Sequence, residues 1–223
     1  YNKKTKRRIK AIIPVHIVGH ACEIDRIISI AKKYNLKVIE DAAEAVGSYY
    51  KKKHLGTFGD VGCFSFNGNK IITTGGGGMV VLKNKILAKK IRHMTTTSKI
   101  KHKWEYIHDE VGYNFRMPNI NAALGLAQLK KINSFLKAKR KLFQMYHKEL
   151  KYIKGISMLK EPKNCKSNYW LQTIKLKSPN NITKNKILKL FNDNKILIRP
   201  LWKLNHKISY LKKYPKMNLK ISN

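Results

Sequence analysis

The chain has 223 residues, with 48 lysines and arginines against 12 aspartates and glutamates, and its formal net charge is +36. A hydrophobic fraction of 43% is ordinary for a globular protein and excludes a disordered tail. No apolar run approaches the ~18 residues that span a bilayer, and the basic start has no signal-peptide pattern. Cys22, Cys63 and Cys165 are widely spaced and odd in number, which fits a reducing compartment, so we expect a cytoplasmic protein.

The high positive charge leaves two interpretations open. A basic surface can bind nucleic acid through its phosphate backbone. Here, however, lysines are spread along the whole chain and are not grouped on one element. We therefore favour a compositional drift toward lysine at exposed positions, with no specific nucleic-acid partner. Because the sequence starts without methionine and ends in lysine-rich sequence, we also expect a fragment of a longer protein.

The first part of the chain predicts alternating strands and helices. Ile24, Ile27, Ile28 and Ala31 recur at helical spacing between two apolar runs, which is typical of a strand–helix–strand unit with parallel strands. The strands are predicted at 11–15, 37–41, 62–66 and 78–82, and the helices at 23–34 and 84–93.

The second part predicts one long helix followed by a mixed region. Apolar residues recur every three or four positions from 119 to about 151. After it we expect a strand at 169–176, a helix at 184–194 and a strand at 196–201. The sequence thus predicts a larger α/β domain over residues 1–140 and a smaller α+β domain over 141–223.

Asp41 ends a predicted buried strand, and ligands of α/β sheets lie outside the carboxyl ends of strands. A carboxylate at this place can hold a cationic nitrogen. Since Ala42 and Ala43 follow, a helix N-cap or a turn aspartate is an equally good interpretation.

The stretch CFSFNGNKIITTGGGG contains Ser65 at the end of a strand, a tight turn, Lys70 and then four glycines. It is not a P-loop, because that motif places its lysine after the glycines, and no dinucleotide fingerprint is present. A desolvated lysine can form a Schiff base with an aldehyde while a nearby hydroxyl binds a phosphate. Pyridoxal phosphate (PLP) needs such a lysine, a carboxylate at its ring nitrogen and phosphate donors. Lys70, Asp41 and Ser65 offer one of each.

The segments AIIPVHIVGH, IEDAAEAVGSYYKKKHLGTFGDVGCFSFNGNKIITTGGGGMVV and HDEVGYNFRMPNINAALGLAQL closely resemble the DegT/DnrJ/EryC1/StrS family of PLP-dependent sugar aminotransferases. The resemblance covers nearly the whole chain. It implies fold type I and a homodimer with shared active sites. It also implies transfer of an amino group from an amino acid, for which we expect L-glutamate, to a nucleotide-linked 4-keto-6-deoxy sugar. The FNGNK and HDEVGYNFRMPN versions look most like the branch that acts on UDP-linked sugars for surface glycans.

The same resemblance implies roles for individual residues. Lys70 corresponds to the cofactor lysine and proton shuttle, Asp41 to the partner of the ring nitrogen and Ser65 to a phosphate donor. Glu44 falls where the family has glutamine or glutamate near the ring hydroxyl. Asn114 corresponds to the asparagine that reaches the phosphate of the neighbouring subunit. The family's glycine-rich phosphate turn, its ring-stacking residue and the end of its small domain have no counterpart in this sequence.

Rival interpretations remain at this point. A PLP-dependent sugar dehydratase of the same fold replaces the lysine by histidine, so Lys70 argues against it. A non-catalytic truncated homologue stays open. The spacing of His93, His102 and His108 fits no common metal pattern, and we expect no metal site. His16 lies near the predicted pocket. Arg199 fits a contact to a substrate carboxylate or phosphate and a buried ion pair equally well, and Trp104 and Tyr106 fit a substrate loop or packing equally well. We expect Cys63 to be a small core residue.

Overall fold

The computed structural model describes residues 1–217 and Leu219. In chain order, the strands are β1 (Ala11–Ile12), β2 (Lys37–Asp41), β3 (Tyr49–Tyr50), β4 (Lys53–His54), β5 (Val61–Ser65), β6 (Gly78–Leu82), β7 (Lys99–Ile100), β8 (Ile107–His108), β9 (Ile156–Met158), β10 (Cys165–Lys166) and β11 (Ile174–Leu176). The α-helices are α1 (Ile24–Lys33), α2 (Lys85–Thr95), α3 (Asn119–Lys130), α4 (Ile132–Leu150) and α5 (Asn181–Asp193).

A four-stranded sheet in the order β1-β2-β5-β6 forms the centre of the first part. β1 and β5 both pair with β2 in parallel, whereas β6 pairs with β5 antiparallel. Because α1 connects β1 to β2, the predicted strand–helix–strand unit is confirmed. The carboxyl ends of β2 and β5 therefore lie side by side.

The packing of α1 on the sheet follows from the apolar spacing in the sequence. Ile24 and Ala31 are buried against Val38 of β2, and Ile27 and Ile28 pack beside them. Fully burying an aliphatic side chain of this size stabilises the folded state by about 1.5–3 kcal/mol. This cluster fixes the sheet behind the edge at which the predicted site lies.

The C-terminal part has its own small sheet, in which β9 and β11 pair antiparallel. Phe143 of α4 packs there against Met158 and Tyr169. However, β10 pairs with β3, and Cys165 is buried in one cluster with Ala42 and Leu55. Residues 165–170 thus pack against the first part, while the domain boundary near residue 140 stays a prediction.

Several predicted boundaries were wrong. The long helix is divided at Lys131, whose φ of −102° and ψ of 3° interrupt the helical backbone. The strand predicted at 11–15 ends at Ile12, because Pro14 has no N–H for the ladder, although Val15 still forms a parallel bridge to Asp41. The strand at 169–176 starts only at Ile174, since the left-handed φ of Tyr169, 47°, bends the chain.

No strand forms at 196–201. Leu197 is 77% exposed there, and no described strand lies beside this segment to complete a ladder. Within the part of the chain that the structure describes, no helix combines the length and the apolar character needed to cross a membrane.

Candidate active site

Asp41 and Ser65 lie on the same face of the central sheet. Asp41 is the parallel register partner of Cys63, and Ser65 is two residues further along β5. Since side chains alternate along a strand, Cys63 and Ser65 point to the same side as Asp41. The carboxylate also acts on the thiol: burial raises the pKa of Cys63, and the charge of Asp41 raises it further. The two predicted cofactor residues are thus neighbours at the carboxyl end of the sheet.

Both interpretations of Asp41 find support in its hydrogen bonds. Its Oδ1 accepts from the main-chain N–H of Ala43 at 3.1 Å, as a turn aspartate does, but no helix follows. Its Oδ2 accepts no hydrogen bond from any residue that the structure describes. One carboxylate oxygen therefore orders the turn, and the other is available to a ligand.

A buried network directly behind Asp41 holds the end of β2. The Glu40 carboxylate meets His16 Nε2 at 3.0 Å, and both side chains are fully buried. Glu40 also accepts from the main-chain N–H groups of Gly56, Phe58 and Gly59 at 2.6–2.8 Å. Burial opposes ionisation, but these hydrogen bonds outweigh it and hold the pKa of Glu40 below its usual range. His16, which the sequence placed near the pocket, therefore has a structural contact here.

Lys70 projects from a tight turn that follows β5. Its main-chain N–H donates to Asn67 O at 3.0 Å, and Asn67 N–H donates to the Ser65 hydroxyl at 3.3 Å. The Lys70 amine lies over the ring of Trp170, 4.0 Å from the ring centroid. It forms no salt bridge or hydrogen bond with any described residue.

Glu44 couples electrostatically to both Lys70 and Asp41. Burial raises the pKa of the Glu44 carboxyl and the charge of Asp41 adds to this, whereas the Val18 N–H and the Lys70 charge act in the opposite direction. The Val18 N–H donates to Glu44 Oε2 at 2.6 Å. The charges of Lys70 and Asp41 thus both act on Glu44, while the roles that the sequence assigns to these three residues stay predictions.

Asn168 is a supporting residue that sequence reasoning missed. Its side chain is fully buried, and its amide donates to the carbonyl oxygens of Glu44 at 2.7 Å and Val46 at 2.9 Å. Its Oδ1 accepts from the main-chain N–H of Trp170 at 2.8 Å. The contact spans 124 residues of sequence between Asn168 and Glu44, and no local pattern reports such a pairing.

Asn114 is exposed and lies apart from this group. Its main chain forms an isolated bridge with Thr96 at the end of α2, and its side chain makes no hydrogen bond with a described residue. Its predicted role, reaching the cofactor phosphate of a neighbouring subunit, stays a prediction.

The remaining sequence candidates lie outside the group. His93 Nε2 contacts Asp109 Oδ1 at 2.6 Å and lies near Glu110, which pairs with Lys90; these groups could hold a metal ion geometrically, but they already form ion pairs. His108 contacts Thr97 O, and His102 packs against Trp104.

The structure also shows the surroundings of four further residues. Arg199 is exposed and has no salt bridge among the described residues, so it is not part of a buried ion pair. Trp104 and Tyr106 are 74% and 81% exposed, so neither is packed into a core, although Trp104 contacts His102 at the surface. Cys63 is only half-buried.

The side-chain groups of Asp41, Ser65 and Lys70 are chemically suited to bind PLP. Asp41 Oδ2 is free for the proton of a ring nitrogen, and the Ser65 hydroxyl accepts one hydrogen bond but donates none to a described group. The Lys70 amine lies over an aromatic ring and has no hydrogen bond or ion pair with a described residue. A free carboxylate oxygen, a free hydroxyl proton and an unpaired amine are the three groups that the cofactor needs from its protein.

A mixed sheet with these groups at the carboxyl ends of its parallel strands β2 and β5 fits the PLP-dependent aminotransferase class. Residues 2–223 match the DegT/DnrJ/EryC1/StrS aminotransferase family, and the chain belongs to that family. The chain is 45% identical over 172 residues to GDP-perosamine synthase of Escherichia coli O157:H7, covering 77% of this chain and 46% of that protein. It is 37% identical over 175 residues to UDP-4-amino-4,6-dideoxy-N-acetyl-beta-L-altrosamine transaminase of Campylobacter jejuni (strain 81-176), covering 78% and 43%.

Solved structures agree with this assignment. Helicobacter pylori PseC, an aminotransferase involved in the biosynthesis of pseudoaminic acid, superposes with a TM-score of 0.88 at 28% identity, covering 98% of this chain and 60% of that one. DesI, solved in the presence of its TDP-sugar product, has a TM-score of 0.85 at 21% identity over 97% and 55%, which shows the fold alone. The chain spans about half the length of the curated relatives that it matches.

Proposed function

We propose that the chain is the PLP-binding part of an aminotransferase that moves an amino group from an amino acid, L-glutamate in our proposal, to a nucleotide-linked 4-keto-6-deoxy sugar. The observation that carries the proposal is the grouping of Lys70, Asp41, Glu44 and Ser65 at one sheet edge, with the ligand-facing atoms of Asp41, Ser65 and Lys70 unpaired. The names of the relatives support a nucleotide sugar as acceptor and a role in amino-sugar and surface-glycan biosynthesis.

When bound, PLP supplies an aldehyde carbon that accepts an amino group and a conjugated ring that withdraws electrons. Asp41 would keep the ring nitrogen protonated through Oδ2, and Ser65 would donate to the phosphate. Glu44, whose pKa is raised by burial, would lie beside the ring hydroxyl. The freed Lys70 amine would take the proton from the substrate carbon and deliver it to the cofactor carbon.

We further propose a homodimer in which Asn114 reaches the phosphate bound by the other subunit. Its exposed position and unpaired side chain support this. The nucleotide stays open, because relatives are named for GDP-linked and for UDP-linked sugars, and our prediction of the UDP branch awaits a test. Localisation in the cytoplasm also stays a prediction.

The half-reaction tests the proposal. The purified chain is incubated with PLP and L-glutamate, and pyridoxamine phosphate and 2-oxoglutarate are quantified by chromatography. We expect both products from the wild type and from Lys141→Ala, an exposed lysine on α4, but not from Lys70→Ala. Equal product formation by Lys70→Ala would contradict the proposal. Adding GDP-linked or UDP-linked 4-keto-6-deoxy sugar to the productive sample then identifies the acceptor.

A further inference from the structure

We propose that Trp170 is a positioning residue for Lys70, and that its indole places the amine through two separate contacts. The ring face lies 4.0 Å below the Lys70 amine. The ring N–H donates to Asn69 O at 2.7 Å, in the residue directly before the lysine. One side chain thus holds both the end of the lysine and the turn from which the lysine projects. The inference rests on the proposed function, in which Lys70 carries the cofactor.

The position of the indole is itself fixed. Trp170 is only 3% exposed, and it packs with Phe66, Ile71 and Ile72 in one cluster. Its main-chain N–H donates to Asn168 Oδ1 at 2.8 Å, and its carbonyl oxygen accepts from the Lys139 amine at 3.1 Å. A buried ring held at its main chain, at its N–H and by packing cannot rotate away from the lysine.

Among the described residues no carboxylate forms an ion pair with the Lys70 amine, and the Glu44 charge acts on it only without direct contact. A lysine side chain has four freely rotating carbons, so without a contact its amine would sample many positions in solvent. A cation over the face of a tryptophan is attracted by the ring quadrupole, and tryptophan is the strongest of the aromatic residues in this respect. The arrangement therefore restricts the amine to the mouth of the site.

A first experiment uses the cofactor-free chain, so that it does not depend on PLP chemistry. Lysines are acetylated with a limiting amine-reactive ester, and the rate at Lys70 is measured by peptide mass spectrometry in wild type, Trp170→Phe and Trp170→Leu. We expect the rate at Lys70 to rise by about threefold to tenfold in Trp170→Leu, with Trp170→Phe between it and the wild type, since phenylalanine keeps a weaker ring face. Trp104→Leu removes an exposed tryptophan and serves as the matched control.

Labelling of Lys139 shows whether Trp170→Leu releases Lys70 alone or loosens the surrounding structure as a whole. Its half-buried amine binds the main-chain oxygen of Trp170 and not the indole. If the ring positions Lys70, labelling of Lys139 stays within about twofold of wild type while labelling of Lys70 rises. A parallel rise at both lysines, or an unchanged rate at Lys70 in folded Trp170→Leu, would overturn the proposal.

A second experiment separates this inference from the proposed function. Lys70 captures PLP when its amine replaces the aldehyde oxygen, which leaves as water, and borohydride then reduces the new bond. We expect Trp170→Leu to slow capture by about threefold to tenfold, while the Kd of pyridoxamine phosphate, which forms no bond to lysine, changes by less than about twofold. An unchanged capture rate overturns the positioning role. Absent capture in wild type overturns the proposed function, and acetylation then decides the role of Trp170 alone.

Discussion

The side-chain amide of Asn168 donates to the main-chain oxygen of Glu44 at 2.7 Å, and this contact joins the C-terminal part of the chain to the predicted cofactor site. The same amide group binds Val46 O, and the other side of the side chain accepts from Trp170 N–H. One buried asparagine therefore links the loop that carries Glu44 to the segment that carries Trp170. The geometry of the site depends on contacts made more than a hundred residues away in sequence.

Asn168→Ala tests this link. The substitution leaves two carbonyl oxygens and one N–H group without partners in a fully buried place, so we expect it to lower the free energy of unfolding by about 2–4 kcal/mol. Chemical denaturation followed by circular dichroism measures the change. Asn133→Ala, on the exposed side of α4, is the matched control and is expected to change it by less than about 0.5 kcal/mol. Equal stability of the two variants would argue against the link.

Gly19 approaches Asn168 so closely that no side chain fits between them. A Cβ at Gly19 would lie 1.9 Å from Asn168 Oδ1, and φ at this glycine is +82°. Gly19→Ala therefore combines a steric clash with an unfavourable backbone conformation, and we expect a loss of at least about 2 kcal/mol in the free energy of unfolding. At Gly76 a Cβ would meet nothing within 4 Å and φ is not positive, so Gly76→Ala is the control. Similar melting temperatures for both variants would show that Gly19 has room.

Glu44 predicts a pH dependence of stability. Because burial raises its pKa in the folded state, the folded protein binds the proton more tightly than the unfolded chain does. The stabilisation that protonated Glu44 gives to the folded state is fully present below the unfolded pKa of about 4.3. It is lost as the pH rises through the pKa of the folded state. We expect the melting temperature of Glu44→Gln, measured relative to that of the wild type, to rise as the pH increases from 4 to 7. A constant difference over this range would contradict the prediction.

Glu161 predicts the opposite pH dependence. It binds Arg140 through two hydrogen bonds of 2.9 and 2.7 Å and accepts from Ser167 N–H at 2.7 Å. Burial disfavours its charge, but these contacts outweigh burial and lower its pKa. Its contribution is therefore present above the unfolded pKa and is lost as the pH falls through the folded value.

Glu161→Gln measures that contribution. We expect a loss of about 1–3 kcal/mol in the free energy of unfolding at pH 7. The loss at pH 3 is expected to be smaller, because pH 3 lies below the unfolded pKa of about 4.3 and the unfolded chain binds the proton more tightly than the folded one. Denaturant titrations at both pH values check this. Glu149→Gln, at a position on α4 without a salt bridge among the described residues, is the control. A loss that is the same at both pH values would mean that the charge is not the cause.

The elements that could be predicted from the sequence are those with a local signal. β6 lies at Gly78–Leu82 as predicted, and β2 at Lys37–Asp41, because apolar runs bounded by polar residues or glycine predict strands directly. Burial does not follow from the same signal, since β2 has two buried residues and β6 has none. The apolar spacing of α3 and α4 continues through the break at Lys131, so periodicity alone predicted one helix. The predicted strand at 196–201 was wrong because a strand also needs a partner, which its own sequence does not report.

The candidate site likewise contains residues that the sequence predicts and residues that it does not. Two of the site residues, Asp41 and Ser65, end predicted strands, and Lys70 lies in the turn after the second strand. Their proximity could therefore be inferred from the topology of the sheet. Asn168 and Trp170 approach from the C-terminal part through a bend at Tyr169, whose φ is 47°. The sequence SNYW does not indicate this bend, because tyrosine rarely adopts a left-handed conformation. The residues that support the site were therefore visible only in the structure.

The most direct test of the central claim is to locate the lysine that takes up PLP. The chain is incubated with PLP, reduced with borohydride, digested and analysed by mass spectrometry, with Lys70→Ala and Lys141→Ala treated in parallel. We expect a single pyridoxyl group on Lys70 in wild type and in Lys141→Ala, and none at stoichiometric amounts in Lys70→Ala. Modification spread over many of the exposed lysines, at the same level with and without Lys70, would contradict it.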